Sequence, residues 1–198
     1  MDGTWTVTES TLAGPVPDTL KIVVAGGFGA GKTTLVASLS ETEALHTEER
    51  MTSISVGVDD LEGVEDKTTT TVALDFGRIT LDPTTVVYLF GTPGQRRFSY
   101  MWEELVQGAL GAVVLADTRR LADSFDSIDF FESRAVPFVV AVNCFDGHST
   151  HRPEDVRTAL DVSQHVPVLL CDARRRDSAK EVLAQLVSLV LRLAQADT

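Results

Sequence analysis

The stretch "KIVVAGGFGAGKTTLVASL" (residues 21–39) limits the possible folds more than any other part of the chain. It contains a complete Gly-x-x-x-x-Gly-Lys-Thr pattern from Gly26 to Thr33, placed between a β-branched apolar run and an amphipathic helical run. Glycines in such a loop let backbone N–H groups turn inward onto an anion, and the N-terminus of the following helix adds partial positive charge. Gly26, Gly27, Phe28, Gly29, Ala30 and Gly31 would form the cradle, with Lys32, Thr33 and Thr34 opening the helix. Lys32 is expected to bridge the β- and γ-phosphates of a nucleotide, and the Thr33 hydroxyl to ligate Mg²⁺.

The rest of the chain fits a strand–loop–helix unit of this kind. Strand-like runs recur at 20–26, 71–81, 84–90, 111–117, 137–143 and 166–172. Those after the turn at Asp82-Pro83 are continuously apolar, as strands buried on both faces are. Helical stretches lie between them, at 32–40, 99–108, 119–133, from Pro153 onward, and 178–194. Leu121, Phe125 and Ile128 are expected on one core face, and Val182, Leu186, Leu189 and Leu193 on one core stripe of the last helix. The alternation predicts an α/β fold, a mostly parallel six-stranded sheet with helices on both faces. Residues 1–18, rich in Thr, Gly and Pro, read as a flexible leader, and 19–198 as one domain. Residues 41–70 show neither period and read as one long functional loop.

Charge and cysteine content narrow the function. A net charge of −12 opposes approach to nucleic acid or an anionic membrane, so a protein partner with a basic face suits the chain better. With no signal-like start, no long apolar run and no lipidation sequence, the expected location is the cytoplasm, with any membrane recruitment through a protein partner. Cys144 and Cys171 lack zinc or redox spacing and read as reduced thiols. His46, His148, His151 and His165 share no metal spacing.

Further motifs follow the phosphate loop in order. "GTPGQ" (91–95) supplies Gly94, whose amide can reach a γ-phosphate, and Gln95, whose side chain can orient the attacking water. "VNCFD" (142–146) ends a buried strand; Asp146 can accept from the N1–H and N2–H₂ edge of guanine, and Asn143 can brace the loop. In "CDARR" (171–175), Asp172, Ala173 and Arg174 form the adjoining loop.

Together, "VVAGGFGAGKTT", "SVGVDD", "KTTTTVALDFGRITL", "LFGTPGQRRF", "DTRRLADSF" and "PFVVAVNCFDG" resemble the small GTPases of actinobacterial conservon clusters and, more distantly, MglA-like GTPases. The likeness spans about residues 20 to 194. It implies a Ras-like P-loop fold and a switch that binds GDP and GTP with Mg²⁺ and hydrolyses GTP slowly. It also implies partnership with a Roadblock/LC7-type regulator and a sensor-kinase-like protein. Counting back from Asp75-Phe76, as Ras-like first switches are laid out, selects Thr71 as a second Mg²⁺ ligand, with Thr69 and Thr70 as alternatives. Four departures matter. Gly91 stands where most Ras-like proteins carry a magnesium-supporting Asp, which MglA-like proteins also lack, and Asp75, Asp59 or Asp60 are the acids able to replace it, although each also suits a solvated charge. Cys144 replaces the base-covering Lys, leaving Phe145 as the nearest apolar substitute, and Arg96 follows Gln95 where relatives often carry an acid. Phe28 stands where many relatives have Gly, so its ring either crowds the γ-phosphate or swings outward. Arg50 can serve as a built-in arginine finger. The rival readings are a P-loop ATP-binding protein and a scaffold that binds nucleotide without hydrolysing it.

Overall fold

The computed structural model describes residues 18–42, 45–52, 69–94, 100–145 and 151–196. Most of the expected leader, together with Asp59, Asp60, Gln95, Arg96, Asp146 and His148, lies outside them. The elements run β1 (Asp18–Gly26), α1 (Lys32–Leu39), β2 (Leu45–Thr52), β3 (Thr69–Asp82), β4 (Thr85–Gly91) and α2 (Trp102–Val106). They continue with β5 (Gly111–Ala116), a 3₁₀ segment (Thr118–Ser124), α3 (Phe125–Ser133), β6 (Phe138–Asn143), α4 (Pro153–Leu160), β7 (Val168–Cys171) and α5 (Arg176–Ala196).

The sheet order is β2-β3-β4-β1-β5-β6-β7. β4, β1, β5, β6 and β7 pair in parallel, whereas β2–β3 and β3–β4 are antiparallel. All six strands expected from the sequence are present. β2 is a seventh, formed within the segment read as one long loop, and β3 begins at Thr69, also within it. Its sequence, "LHTEERMT", shows no apolar alternation, and β2 is an edge strand, a position where a charged sequence discourages further pairing.

The central strands β5 and β6 are buried along their whole length because helices cover both faces. On one face, Leu35, Val36 and Leu39 of α1 and Val182, Leu186 and Leu189 of α5 pack with Ile22, Val24, Leu89, Val113 and Val139. On the other, Ile128 and Phe131 of α3 and Val156 and Leu160 of α4 meet Val23, Val114, Val140 and Val142. At the hairpin, the Asp82 carboxylate accepts from the Thr84 N–H at 2.8 Å and its hydroxyl at 2.7 Å, and Pro83 supplies a turn-compatible φ. α4 opens as expected, on Pro153 with Glu154 and Asp155 in its first turn.

Two packing expectations change. Leu193 is 44% exposed rather than part of the core stripe, because the end of α5 lies beyond the packed cluster. Phe125 is 37% exposed and Leu121 only half-buried, because residues 118–124 form a 3₁₀ segment rather than the start of a continuous helix. Arg120, at φ −145° and ψ 52°, breaks the helical period between Leu121 and the preceding strand.

At Gly77, α1 crosses β3 so closely that an added Cβ would lie 2.8 Å from Val36 Cγ1 and 3.3 Å from Ser40 Cβ. Gly77→Val is therefore expected to lower stability by about 1–3 kcal/mol through overpacking, measured as a lower denaturant midpoint with an unchanged slope.

Candidate functional site

The parallel strands place a cleft at their carboxyl ends, where β1 lies between β4 and β5 and the sheet order reverses direction. The loop after β1 lines it. Gly31, at φ 106°, holds a conformation that side chains rarely adopt, and a Cβ there would meet Asn143 Nδ2 at 2.5 Å. The loop can thus turn sharply into α1 while lying against β6.

Lys32 opens α1 and is only 7% exposed. Its ammonium donates to the carbonyls of Gly26 (2.9 Å) and Gly27 (2.8 Å). Burial lowers its pKa to about 8, with the nearby Asp75 carboxylate opposing that shift. Gly94 closes on the same group: a Cβ at Gly94 would lie 2.7 Å from Lys32 Nζ and 2.9 Å from Phe28 Cα. A cavity of about 340 Å³ is lined by Gly29, Lys32, Thr33, Asp75, Thr92 and Gly94 among others, and Thr34 also borders it. This brings together the phosphate-loop residues and Gly94 as the sequence leads one to expect.

Asp75 shows how the chain accommodates Gly91. The two residues are direct partners across β3 and β4. A Cβ on Gly91 would stand 2.8 Å from Asp75 Cβ and 2.9 Å from Asp75 Oδ2, so the Asp75 side chain occupies the space above Gly91. Thr33 Oγ1 donates to that same Oδ2 at 2.7 Å. A carboxylate therefore stands beside the Thr33 hydroxyl, but it comes from the neighbouring strand. Asp75 is part of the site rather than a solvated strand charge. The Thr92 hydroxyl, 2% exposed in the same wall, has no hydrogen-bond partner among the described residues. Thr33, Asp75 and Thr92 offer hard oxygens at a phosphate cavity, a donor set that fits Mg²⁺.

Thr71 lies in β3 opposite Arg50, four residues before Asp75. At about 3.3 Å per residue its backbone is roughly 13 Å from that of Asp75.

Asn143 links three segments. Its Nδ2 donates to the Ala30 carbonyl at 2.9 Å, and its Oδ1 accepts the Ala173 N–H at 3.2 Å. The bracing role read for Asn143 thus extends to the phosphate loop. Asp172 pairs with Arg174 through Nε and Nη2, each at 3.0 Å, and these hydrogen bonds hold its carboxyl below the usual range. Cys144 keeps its thiol neutral, its pKa raised mainly by burial, and burial pushes Cys171 up to about 11. Phe145 is engaged by Arg119, whose guanidinium carbon lies 3.6 Å from the ring centroid. The Phe28 ring is 65% exposed, which corresponds to the outward alternative, and its carbonyl accepts from Arg120 Nη2 at 2.5 Å. Asp117, Arg119 and Arg120 lie in the quoted stretch "DTRRLADSF" but were given no role from the sequence. The available signal was their position directly after β5, at the carboxyl edge where ligand loops of such sheets gather.

A family model described as a conserved hypothetical ATP binding protein matches residues 24–192. Over 131 residues the chain is 32% identical to an uncharacterized protein of Methanocaldococcus jannaschii, a match covering 65% of this chain and 72% of that one. The G domain of the T. maritima FeoB iron transporter superposes with a TM-score of 0.60 at 18% identity, covering 87% of this chain and 99% of that structure. The FeoB G-domain from Methanococcus jannaschii gives a TM-score of 0.56 at 14% identity, covering 87% and 97%. The chain therefore has the fold of these G domains.

Two outcomes are expected from the site. Because Lys32 has a depressed pKa, the penalty for burying its charge is present in full below about pH 8 and is relieved as pH rises toward the unfolded value. Metal-free stability should gain from this group between about pH 8 and 10.5, while pyrophosphate binding by the empty protein should weaken over the same range. Lys32→Met should flatten both profiles in denaturation and calorimetric titrations. Gly91→Ala should displace Asp75 and cost about 1–3 kcal/mol of stability, measured by thermal or denaturant unfolding.

Proposed function

Because the chain belongs to the family described as conserved hypothetical ATP binding proteins and carries a G-domain fold, we propose that it is a Mg²⁺-dependent guanine-nucleotide switch. The observation that carries this reading is the joining of a complete phosphate loop to the base-loop residue Asn143, through its hydrogen bond to Ala30. Asp146, three residues on, supplies the carboxylate that selects the guanine edge.

In this reading the chain holds the phosphates with the loop amides of residues 26–31 and with Lys32, which exchanges its carbonyl partners for phosphate oxygens. Thr33 and Asp75 would hold Mg²⁺, and Thr71 would join them on closure of the first switch. The ion held there would supply positive charge to offset that of the phosphates. Gly94 senses the γ-phosphate and Gln95 orients water for slow hydrolysis. Replacing the Gly91 position with a carboxylate from β3 keeps a metal-supporting acid beside Thr33, so the altered second switch remains competent. The resemblance to conservon GTPases supports a Roadblock/LC7-type regulator and a sensor-kinase-like partner, in cytoplasmic signalling. Among the described residues, no helix is long and apolar enough to cross a membrane.

The family's printed description favours a second reading, ATP binding. Competition of GDP, GTP, ADP and ATP for the site separates the two: guanine nucleotides should bind far more tightly, and absence of discrimination would refute the guanine assignment. Gln95→Leu should lower single-turnover phosphate release strongly while leaving GDP affinity nearly unchanged; unaltered turnover would count against a hydrolytic switch and for a scaffold. Asp75→Asn should weaken Mg²⁺ dependence by roughly 10- to 100-fold, read from the Mg²⁺ concentration that slows GDP release.

A further inference from the structure

Two adjacent arginines leave the end of β5 in different directions and reach the two loops at either end of the nucleotide site. Asp117 directly follows β5, which lies between β1, the strand that leads into the phosphate loop, and β6, the strand that leads into the base loop. Its side chain is 4% exposed. The carboxylate accepts from the Arg119 backbone N–H at 2.9 Å, from Arg119 Nε at 2.9 Å and from Arg119 Nη2 at 2.8 Å. This two-point grip orients the planar guanidinium that lies over Phe145, two residues past Asn143. Arg120 Nη2 is 3.8 Å from the same carboxylate and donates to the Phe28 carbonyl. It also sits 3.0 Å from where a Cβ on Gly29 would stand. The non-helical dihedrals of Arg120 let the two side chains diverge within one 3₁₀ segment.

We propose that Asp117, Arg119 and Arg120 are positioning residues that tie the phosphate loop to the base-reading loop, so that both ends of a nucleotide are recognised by one coupled frame. This rests on the nucleotide-binding reading above and adds the residues that set its geometry. Capping the 3₁₀ segment requires only the bond from the Arg119 N–H to Asp117. The side-chain contacts go further, because one reaches the phosphate loop and the other the base loop. A single buried carboxylate anchors the first arginine in a bidentate pair and lies close to the second. The hydrogen bonds from Arg119, the first cause, hold the Asp117 carboxyl below its usual range, so the anchor stays ionised at neutral pH. Lysine cannot reproduce the arrangement, since a point charge lacks both the fork that grips Asp117 and the plane that covers Phe145.

The test uses the full chain with fluorescent mant-GDP and mant-ADP, displaced by guanosine or adenosine for the base end and by pyrophosphate for the phosphate end. Arg119→Ala should weaken nucleoside binding roughly 5- to 10-fold and pyrophosphate binding less than about twofold. Arg120→Ala should show the opposite preference. Phe145→Leu should mimic Arg119→Ala, Phe145→Tyr should retain wild-type behaviour, and the Arg119→Ala/Phe145→Leu pair should lose less than the product of the single losses. Thermal melts confirm that each variant is folded. Equal losses for both probes, or none, in variants of a nucleotide-binding wild type would overturn the proposal. If the wild type holds ADP as tightly as GDP, the guanine assignment fails while the coupling is still read with adenosine. A wild type that holds neither overturns both.

Discussion

A lysine ammonium buried at the start of α1 must be compensated, and the site is arranged around that requirement. Lys32 is 7% exposed, and an isolated charge at such a position would be strongly unfavourable. The phosphate loop answers by turning the carbonyls of Gly26 and Gly27 toward it, and Asp75 adds opposite charge from β3. The compensation is incomplete, as the lowered pKa shows. An anion placed beside Lys32 would favour its charged form and so oppose the effect of burial.

The same economy of space explains the glycine at position 91. β3 and β4 pair so that Asp75 and Gly91 face each other, and only one of them can carry a side chain into the volume beside Thr33. In this chain the carboxylate has crossed the ladder. Glycine at 91 is then a steric requirement of Asp75 rather than a missing functional group. An alanine at 91 would meet the same carboxylate that Thr33 binds.

Asn143 and Asp117 extend this logic across the carboxyl edge of the sheet. Each uses one polar side chain at the end of a fully buried strand to hold a loop that begins elsewhere in the chain. The amide of Asn143 serves this purpose with one donor and one acceptor, so it joins the Ala30 carbonyl to the Ala173 N–H. The carboxylate of Asp117 can only accept, so it works through arginines. Loops positioned in this way by rigid strand ends are where binding chemistry is usually carried.

Much of the fold was legible. The phosphate loop, the buried parallel strands and the hairpin at Asp82-Pro83 depend on local rules: glycine conformational freedom, continuous apolar runs and turn chemistry. The position of Asn143 at the end of a buried strand was also legible from the apolar run that precedes it. β2 was not legible, because a charged edge strand is stabilised by its neighbour and need not show its own period. Leu193 and Phe125 were misplaced for a related reason, since periodicity reports a face but not where its packing partners end.

By itself, then, the sequence determined that an anion-binding loop joins a buried strand to a helix in an α/β sheet, because those features are written within a few consecutive residues. Only the tertiary structure decided that Asp75 fills the space over Gly91, that the Phe28 ring faces outward, and that Arg119 and Arg120 reach opposite loops. These are contacts between segments far apart in the chain, fixed by strand register and by the volume left between packed elements, and no local pattern records them.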